Sequence, residues 1–382
     1  MLRRLEVSNY KMFQDFTIDF TEGVNLVCGQ NGSGKSSLLE LVHALAGFLA
    51  THETSDHVNH SVAEAFPFES FCRWGLQSLG SGDMRICVVL GNKHESFKYS
   101  LLIRYNFRDS KNRVQEEELV FQSDERNKVI ISFKDGMINM ITDTNKKLSF
   151  NGDWNVSGLI TGARNNSQIR DFISMIAKFY ALHLEPTVTM QDFKAGALTL
   201  GLKGERFSAW HFHNSTNRSE NQLSVVEQSK NFIPGLVSVN SPQSGDVFRW
   251  KVRVKYNGSY YDLELRELSD GQKALFVLYS LLANIPDGST LISDEPENYL
   301  APGELQPWLD AVNDAWEERD IQFILITHNP RTLNWYHKDA VIFKIKGEPP
   351  RITAERNSNN TSETLFEKLS EMEWDKDGAK SS

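Results

Sequence analysis

Apolar and polar positions change period several times along this chain. Residues 2–20 alternate, which predicts two strands, Leu2–Val7 and Phe16–Phe20, around Asn9-Tyr10-Lys11. Val24–Cys28 is a short apolar run of the kind found in a strand buried on both faces. From Lys35 to about Leu49 the spacing turns helical, with Leu38, Leu41, Val42 and Leu45 on one face. Residues 51–83 read as an irregular connection. From Met84 to about Phe150 the runs Ile86–Leu90, Phe97–Phe107, Leu119–Phe121, Val129–Phe133 and Met137–Ile141 alternate between turn residues, the pattern of an antiparallel meander.

Helical spacing returns over Ser167–Leu182, at Ile169, Phe172, Ile173, Ile176, Phe179 and Tyr180. Residues 184–245 show no clear period. Phe248–Tyr256 and Tyr260–Leu265 flank Asn257-Gly258, a strong hairpin signal. Lys273–Leu282 reads as a helix, and Thr290–Ser293 and Gln322–Thr327 as buried strands. Between those strands Leu305, Trp308, Leu309, Val312, Ala315 and Trp316 form a helical stripe that core packing accounts for. Residues 351–382 read as a short amphipathic helix and a polar tail.

The strand–loop–helix at 24–49 contains Gly29-Gln30-Asn31-Gly32-Ser33-Gly34-Lys35-Ser36, which fits the P-loop pattern Gly-x-x-x-x-Gly-Lys-Ser/Thr at every fixed position. Its glycines let backbone N–H groups of the loop, Asn31 and Ser33 included, approach a triphosphate that a Cβ would obstruct. The helix N-terminus at Lys35, Ser36 and Ser37 adds its positive end. Lys35 is a point charge for the outer phosphates, and the Ser36 hydroxyl is a ligand for Mg2+. Asp294 ends a buried strand and can hold Mg2+ through water. Glu295 follows it and points elsewhere, which suits a base or water-positioning group. His328 ends the next strand, in reach of a terminal phosphate. Leu268-Ser269-Asp270-Gly271-Gln272 opens a helix with Ser269 as a natural N-cap, leaving N–H groups for an anion.

Composition narrows the field a little. With 382 residues, 40% hydrophobic and 24% charged, the chain is ordinary globular material. A net charge of −9 does not suit a uniformly basic nucleic-acid binder. Cys28, Cys72 and Cys87 form no metal or disulfide pattern. No apolar run approaches the ~20 residues of a membrane span, and the N-terminus lacks a signal-peptide core, so a cytoplasmic protein is expected. His52, His57 and His60 have no acids at ligand spacing. His211-Phe212-His213 would put two imidazoles on one face if it is a strand. Asp375-Lys376-Asp377 reads as a solvated charge run.

Asn-Gly-Ser-Gly-Lys-Ser, Leu-Ser-Asp-Gly-Gln, Asp-Glu-Pro-Glu and Thr-His-Asn, in this order, resemble the ABC-type ATPase heads of the RecF, structural-maintenance-of-chromosomes and overcoming-lysogenization-defect groups. Within them the pattern is most similar to compact AAA-type ATP-binding proteins of bacterial defence systems. The likeness is strong over roughly 1–50 and 260–345. It implies an α/β P-loop NTPase with a parallel core sheet, an antiparallel β subdomain and a helical/β insertion. The segments would be 1–50 with the P-loop, 51–250 with the meander and insertion, 251–350 with the signature, acids and His328, and 351–382 as tail.

The resemblance further implies a homodimer closed over two ATP–Mg2+. Each ATP would meet Lys35 of one copy and Ser269, Gly271 and Gln272 of the other, with Glu297-Asn298-Tyr299-Leu300 as the D-loop at the seam. Catalysis would rest on Glu295, His328 and Lys35. Asp270 stands where transporter signatures have glycine. The Q-loop glutamine is open among Gln77, Gln168 and Gln191, and adenine stacking between Tyr10 and Phe13. Overcoming-lysogenization-defect proteins carry a C-terminal nuclease domain, and only a short stretch follows His328 here. The expected function is therefore an ATP-driven switch for a separate nuclease or toxin in antiphage defence. The alternative is a RecF-type clamp holding DNA on Arg104, Arg108, Lys111, Arg113, Lys251, Arg253 and Lys255. A transporter ATPase does not fit, because the insertion is too long.

Overall fold

A computed structural model describes residues 1–49, 61–72, 74, 80–124, 126–194, 199–347, 350–357 and 365. His52, His57, His60, Gln77 and the 375–377 charge run lie outside them. The chain divides into two compact units, Met1–Phe179 with Ile326–Ser382, and Tyr180–Leu325. That division cuts across the four segments read from the sequence. Among the described residues no helix is long and apolar enough to cross a membrane.

In the first unit the strands are β1 (Leu2–Tyr10), β2 (Phe13–Asp19), β3 (Val24–Gly29), β4 (Ser81–Gly91), β5 (Glu95–Asn106), β6 (Lys111–Ser123), β7 (Asn127–Lys134), β8 (Met137–Ile141) and β9 (Lys147–Asn151). Eight of them form one antiparallel sheet in the order β2-β1-β4-β5-β6-β7-β8-β9. The meander seen in the sequence is thus extended by the N-terminal hairpin, through pairs such as Leu5↔Val88. Along β5 the residues Phe97, Tyr99, Leu101, Ile103 and Tyr105 are buried at the two-residue period of a strand covered on one face. The helix Ser167–Ala177 packs there, with the Phe172 ring 5.3 Å from Tyr99 and 5.9 Å from Phe97. Glu117 on β6 lies wholly inside and accepts from the Tyr99 hydroxyl at 2.7 Å and the Gly158 N–H at 2.7 Å.

β3 is buried along its whole length and pairs in parallel with Ala340–Lys346, at Leu26↔Ala340 through Gly29↔Phe343. Arg351–Arg356 then pairs antiparallel with Ala340–Lys346. This strand replaces the start of the expected C-terminal helix, because Ile352 and its neighbours complete a sheet edge.

The second unit holds Thr290–Asp294 and all but the end residues Phe179 and Ile326 of two more strands, and the three lie side by side in the order Phe179–His183, Thr290–Asp294, Gln322–Ile326. The helix expected over Ser167–Leu182 stops at Ala177, where the Lys178 N–H turns back onto the carbonyls of Met175 and Ile176. The apolar residues after it enter the sheet instead. Lys251–Tyr256 and Ser259–Glu264 form the expected hairpin, with Asn257 at φ 48° and Gly258 at φ 85°, both positive as a tight two-residue turn requires. The unread region holds the helices Phe207–Asn217 and Ser219–Ser229. The helix Pro302–Arg319 buries Trp308 at its centre, while Trp316 is half-buried.

Candidate functional site

The P-loop of the first unit rests on an aromatic cluster. Phe13 and Phe16 stack at 4.1 Å, and Phe16 meets Phe343 edge-on at 5.1 Å. A Cβ on Gly34 would lie 2.8 Å from Phe13 Cε1, and one on Gly29 would lie 2.4 Å from the Phe343 carbonyl oxygen. Gly34 also has φ 87° and Gly32 φ 77°, which L side chains rarely adopt. The loop is therefore pressed onto its support in a conformation that only glycine accepts. Lys35 is buried, and its Nζ donates to the Gly29 carbonyl at 2.7 Å and the Gln30 carbonyl at 2.9 Å. Ser36 is exposed and Ser37 half-buried at the N-terminus of the helix Lys35–Leu49, whose Leu38, Leu41, Val42 and Leu45 face the core. Ser33 is buried within the loop, and Asn31 is exposed at its tip.

His328 belongs to the same unit. The Thr327 N–H donates to the Val27 carbonyl of β3 at 3.1 Å, fixing the chain just before His328. Asn329, just after it, caps the helix Pro330–Trp335 by accepting from the Arg331 N–H at 2.9 Å. Tyr10 and Phe13, the two adenine-stacking candidates, are both core residues, at 2% and 0% exposure, which removes them from that role. The hydrophobic gain of burying these rings against β-sheet neighbours sets their place. Gln168 lies in the first turn of the helix Ser167–Ala177, and Gln191 is exposed after the short helix Pro186–Thr189.

The second unit holds the acids and the signature. Asp294 is the last residue of its strand and 6% exposed. Glu295 then takes φ 47°, a left-handed conformation that costs a non-glycine residue roughly 1 kcal/mol. This reversal separates the environments of two consecutive carboxylates. Asn298 Nδ2 donates to Glu295 Oε2 at 2.6 Å, whereas Asp294 Oδ2 lies 3.3 Å from His183 Nδ1. The hydrogen bond to Asp294 lifts the His183 imidazole above its ordinary pKa. Sequence reading missed His183, which falls between the helix expected over Ser167–Leu182 and a stretch from 184 on with no clear period. The signal available was the end of an apolar run before Glu185-Pro186.

The signature opens the helix Asp270–Asn284. Ser269 caps it, accepting from the Gln272 N–H at 3.3 Å, while Gln272 Oε1 accepts from the Ser269 N–H at 3.1 Å. The other end of that amide donates to the Phe232 carbonyl at 2.9 Å, so Gln272 holds the cap from both sides. A Cβ on Gly271 would lie 2.8 Å from the Tyr299 carbonyl oxygen, so the signature backbone meets the turn that follows the acids. Ser269 and Asp270 are exposed, and the helix behind them is buried from Ala274 to Leu282.

The motifs thus divide two and two: P-loop and His328 in one unit, acids and signature in the other. Ser36 in the first unit and Asp294 in the second are each hard oxygen donors of the kind Mg2+ takes, and the glycine cradle suits a phosphate. The candidate metal pair at His211 and His213 is overturned. That segment is the helix Phe207–Asn217, so the two rings do not share a face, and His211 is fully buried among Phe207, Trp250 and Phe276.

A DNA replication and repair protein RecF from Pseudoalteromonas atlantica is 41% identical over 71 residues, which are 19% of this chain and 19% of that protein. A DNA double-strand break repair Rad50 ATPase from Archaeoglobus fulgidus is 43% identical over 42 residues, 11% of this chain and 5% of that protein. The chain therefore spans a fifth or less of the length of these two relatives. A solved SMC head, bound to the C-winged helix domain of ScpA, aligns with 93% of this chain and 98% of its own at a TM-score of 0.51 and 13% identity, a likeness of fold. The family described as "AAA domain, putative AbiEii toxin, Type IV TA system" matches residues 24–334. The chain belongs to that family, and its fold is an ABC-type ATPase head of the RecF and SMC kind.

Proposed function

We propose that this protein binds and hydrolyses ATP, closes as a homodimer over two nucleotides, and by that closure switches a separate effector, a nuclease or toxin, in antiphage defence. The observation that carries the ATP reading is the P-loop: three glycines at positive φ, Gly34 pressed on Phe13 and Gly29 on Phe343, with the Lys35 amine held at the loop carbonyls. In that role the loop N–H groups bind phosphate oxygens and Lys35 neutralises them. Mg2+, when bound, supplies charge neutralisation at the phosphates, with Ser36 and Asp294 as the residues that would hold it. Glu295, kept apart from Asp294 by its left-handed turn, takes up the proton of the attacking water.

The exposed, capped start of the signature helix supports closure, because it leaves an anion-binding end open to a second copy. The family description, with its toxin and type IV toxin–antitoxin terms, supports a defence role. A nucleic-acid clamp would need cations available to phosphate. Of the seven cations named for it, two are engaged by acids, Arg104 by Asp83 at 2.8 and 2.9 Å and Arg253 by Asp262 at 2.7 and 2.9 Å, which weighs toward the switch.

Glu295→Gln tests the chemistry. It should bind ATP as wild type does and lose about 10²–10⁴ in steady-state hydrolysis, as removal of a general base does. Hydrolysis at the wild-type rate in that variant moves the base elsewhere. Native purification tests the effector: a homodimer that elutes alone and itself cleaves nucleic acid contradicts a separate one.

A further inference from the structure

We propose that His183 is a positioning residue of the nucleotide site, orienting the Asp294 carboxylate toward the Mg2+ that accompanies ATP. The inference rests on the ATP–Mg2+ reading above. The strand Phe179–His183 is the neighbour of Thr290–Asp294, and each ends on the residue in question. His183 Nδ1 lies 3.3 Å from Asp294 Oδ2. A carboxylate only accepts hydrogen bonds, so Nδ1 carries the proton and the contact fixes which way the carboxylate faces.

The histidine is itself held in place. Its N–H donates to the Leu202 carbonyl at 2.7 Å, and Leu182 before it is fully buried. Glu185, two residues on, is ion-paired to Lys203 at 2.7 Å, tying the same strand end to the 199–204 segment a second time. The ring is 46% exposed while Asp294 is nearly closed off from solvent. A half-exposed ring set against a buried carboxylate contributes little to core packing. Its chemistry is that of an outer partner which orients a metal ligand, a role whose loss costs about 10–100-fold in metal affinity or activity.

The test compares full-length wild type, His183→Ala and His183→Gln. Mn2+ is titrated by electron paramagnetic resonance in the presence of a non-hydrolysable ATP analogue, and binding of the analogue in EDTA is measured by calorimetry. His183→Ala should raise the Mn2+ concentration at half-saturation about 10-fold or more, with metal-free nucleotide affinity changed by less than about twofold. His183→Gln, whose amide can still donate to Asp294, should recover most of the loss. Unchanged Mn2+ binding in His183→Ala overturns the proposal. Equal loss in both variants, together with an equal fall in unfolding temperature, overturns it in favour of packing. Wild type that binds no analogue even in EDTA brings down the ATP reading first and this one with it, an outcome distinct from the other two.

Discussion

His211 lies wholly inside the second unit, with the Phe207 ring stacked on it at 5.4 Å and Trp250 at 4.9 Å. Burial drives its pKa down to about 3. An unfolded chain takes up that proton near the ordinary value of about 6.5, so between the two values the unfolded state binds more protons. Stability is therefore full above about pH 6.5 and falls as pH drops toward 3, by up to about 1.4 kcal/mol per pH unit from this one group. Urea unfolding of wild type and His211→Phe from pH 7.5 to 4.5 checks this. The variant should lose less stability on acidification, and parallel pH profiles would contradict it.

At this scale the sequence reveals whatever is chemically local. The fixed P-loop positions Gly29, Gly34, Lys35 and Ser36 are recognisable within one short stretch of chain. His183 is not, because its partner Asp294 stands far downstream and only strand pairing joins them. Tyr10 and Phe13 likewise have aromatic character that is legible, but not its direction. Cys28 is a free thiol whose burial pushes its pKa up to about 12, consistent with an unreactive core position.

Among the elements, the signature helix shows packing overruling propensity. Alanine is the better helix former than glycine by about 1 kcal/mol, and less at a helix start. A Cβ on Gly271 would nevertheless sit 2.8 Å from the Tyr299 carbonyl oxygen, backbone that cannot swing aside. Overpacking of this kind costs about 1–3 kcal/mol, so Gly271→Ala should destabilise by about that amount despite its propensity gain. Denaturant unfolding measures it, and a variant as stable as wild type would show that the turn after the acids yields freely. The start of this helix was readable because Ser269 and Gln272 cap it within four residues. The Asn257-Gly258 hairpin was readable for the same reason. The end of Ser167–Ala177 was not: Phe179 and Tyr180 continue the helical spacing, and the sheet claims them anyway. The helices at 207–229 escaped because their apolar faces are broken by His, Asn and Ser.

For the whole molecule, the four motifs divide between the two compact units, P-loop and His328 in one and acids and signature in the other. The order of motifs gave the α/β head, the parallel core strands and the antiparallel subdomain. It did not give the unit boundaries, which follow contacts between residues far apart in the chain rather than changes in sequence texture. The proposed switch adds a second copy: ATP stabilises closure only if it binds the closed form better than the open one, and a signature acting on the partner's nucleotide provides that difference.

Mixing two inactive variants tests this most directly. In the proposed switch, Lys35→Ala would remove the main phosphate cation, and Ser269→Arg would put bulk where the signature is to meet phosphate. Each alone should hydrolyse ATP at a small fraction of the wild-type rate. In the mixed dimer one composite site keeps both an intact Lys35 and an intact Ser269. The steady-state rate of the mixture should therefore rise well above either parent. A mixture as inactive as its parents, with mixed dimers demonstrated by differential tagging, would contradict a signature that acts across the dimer.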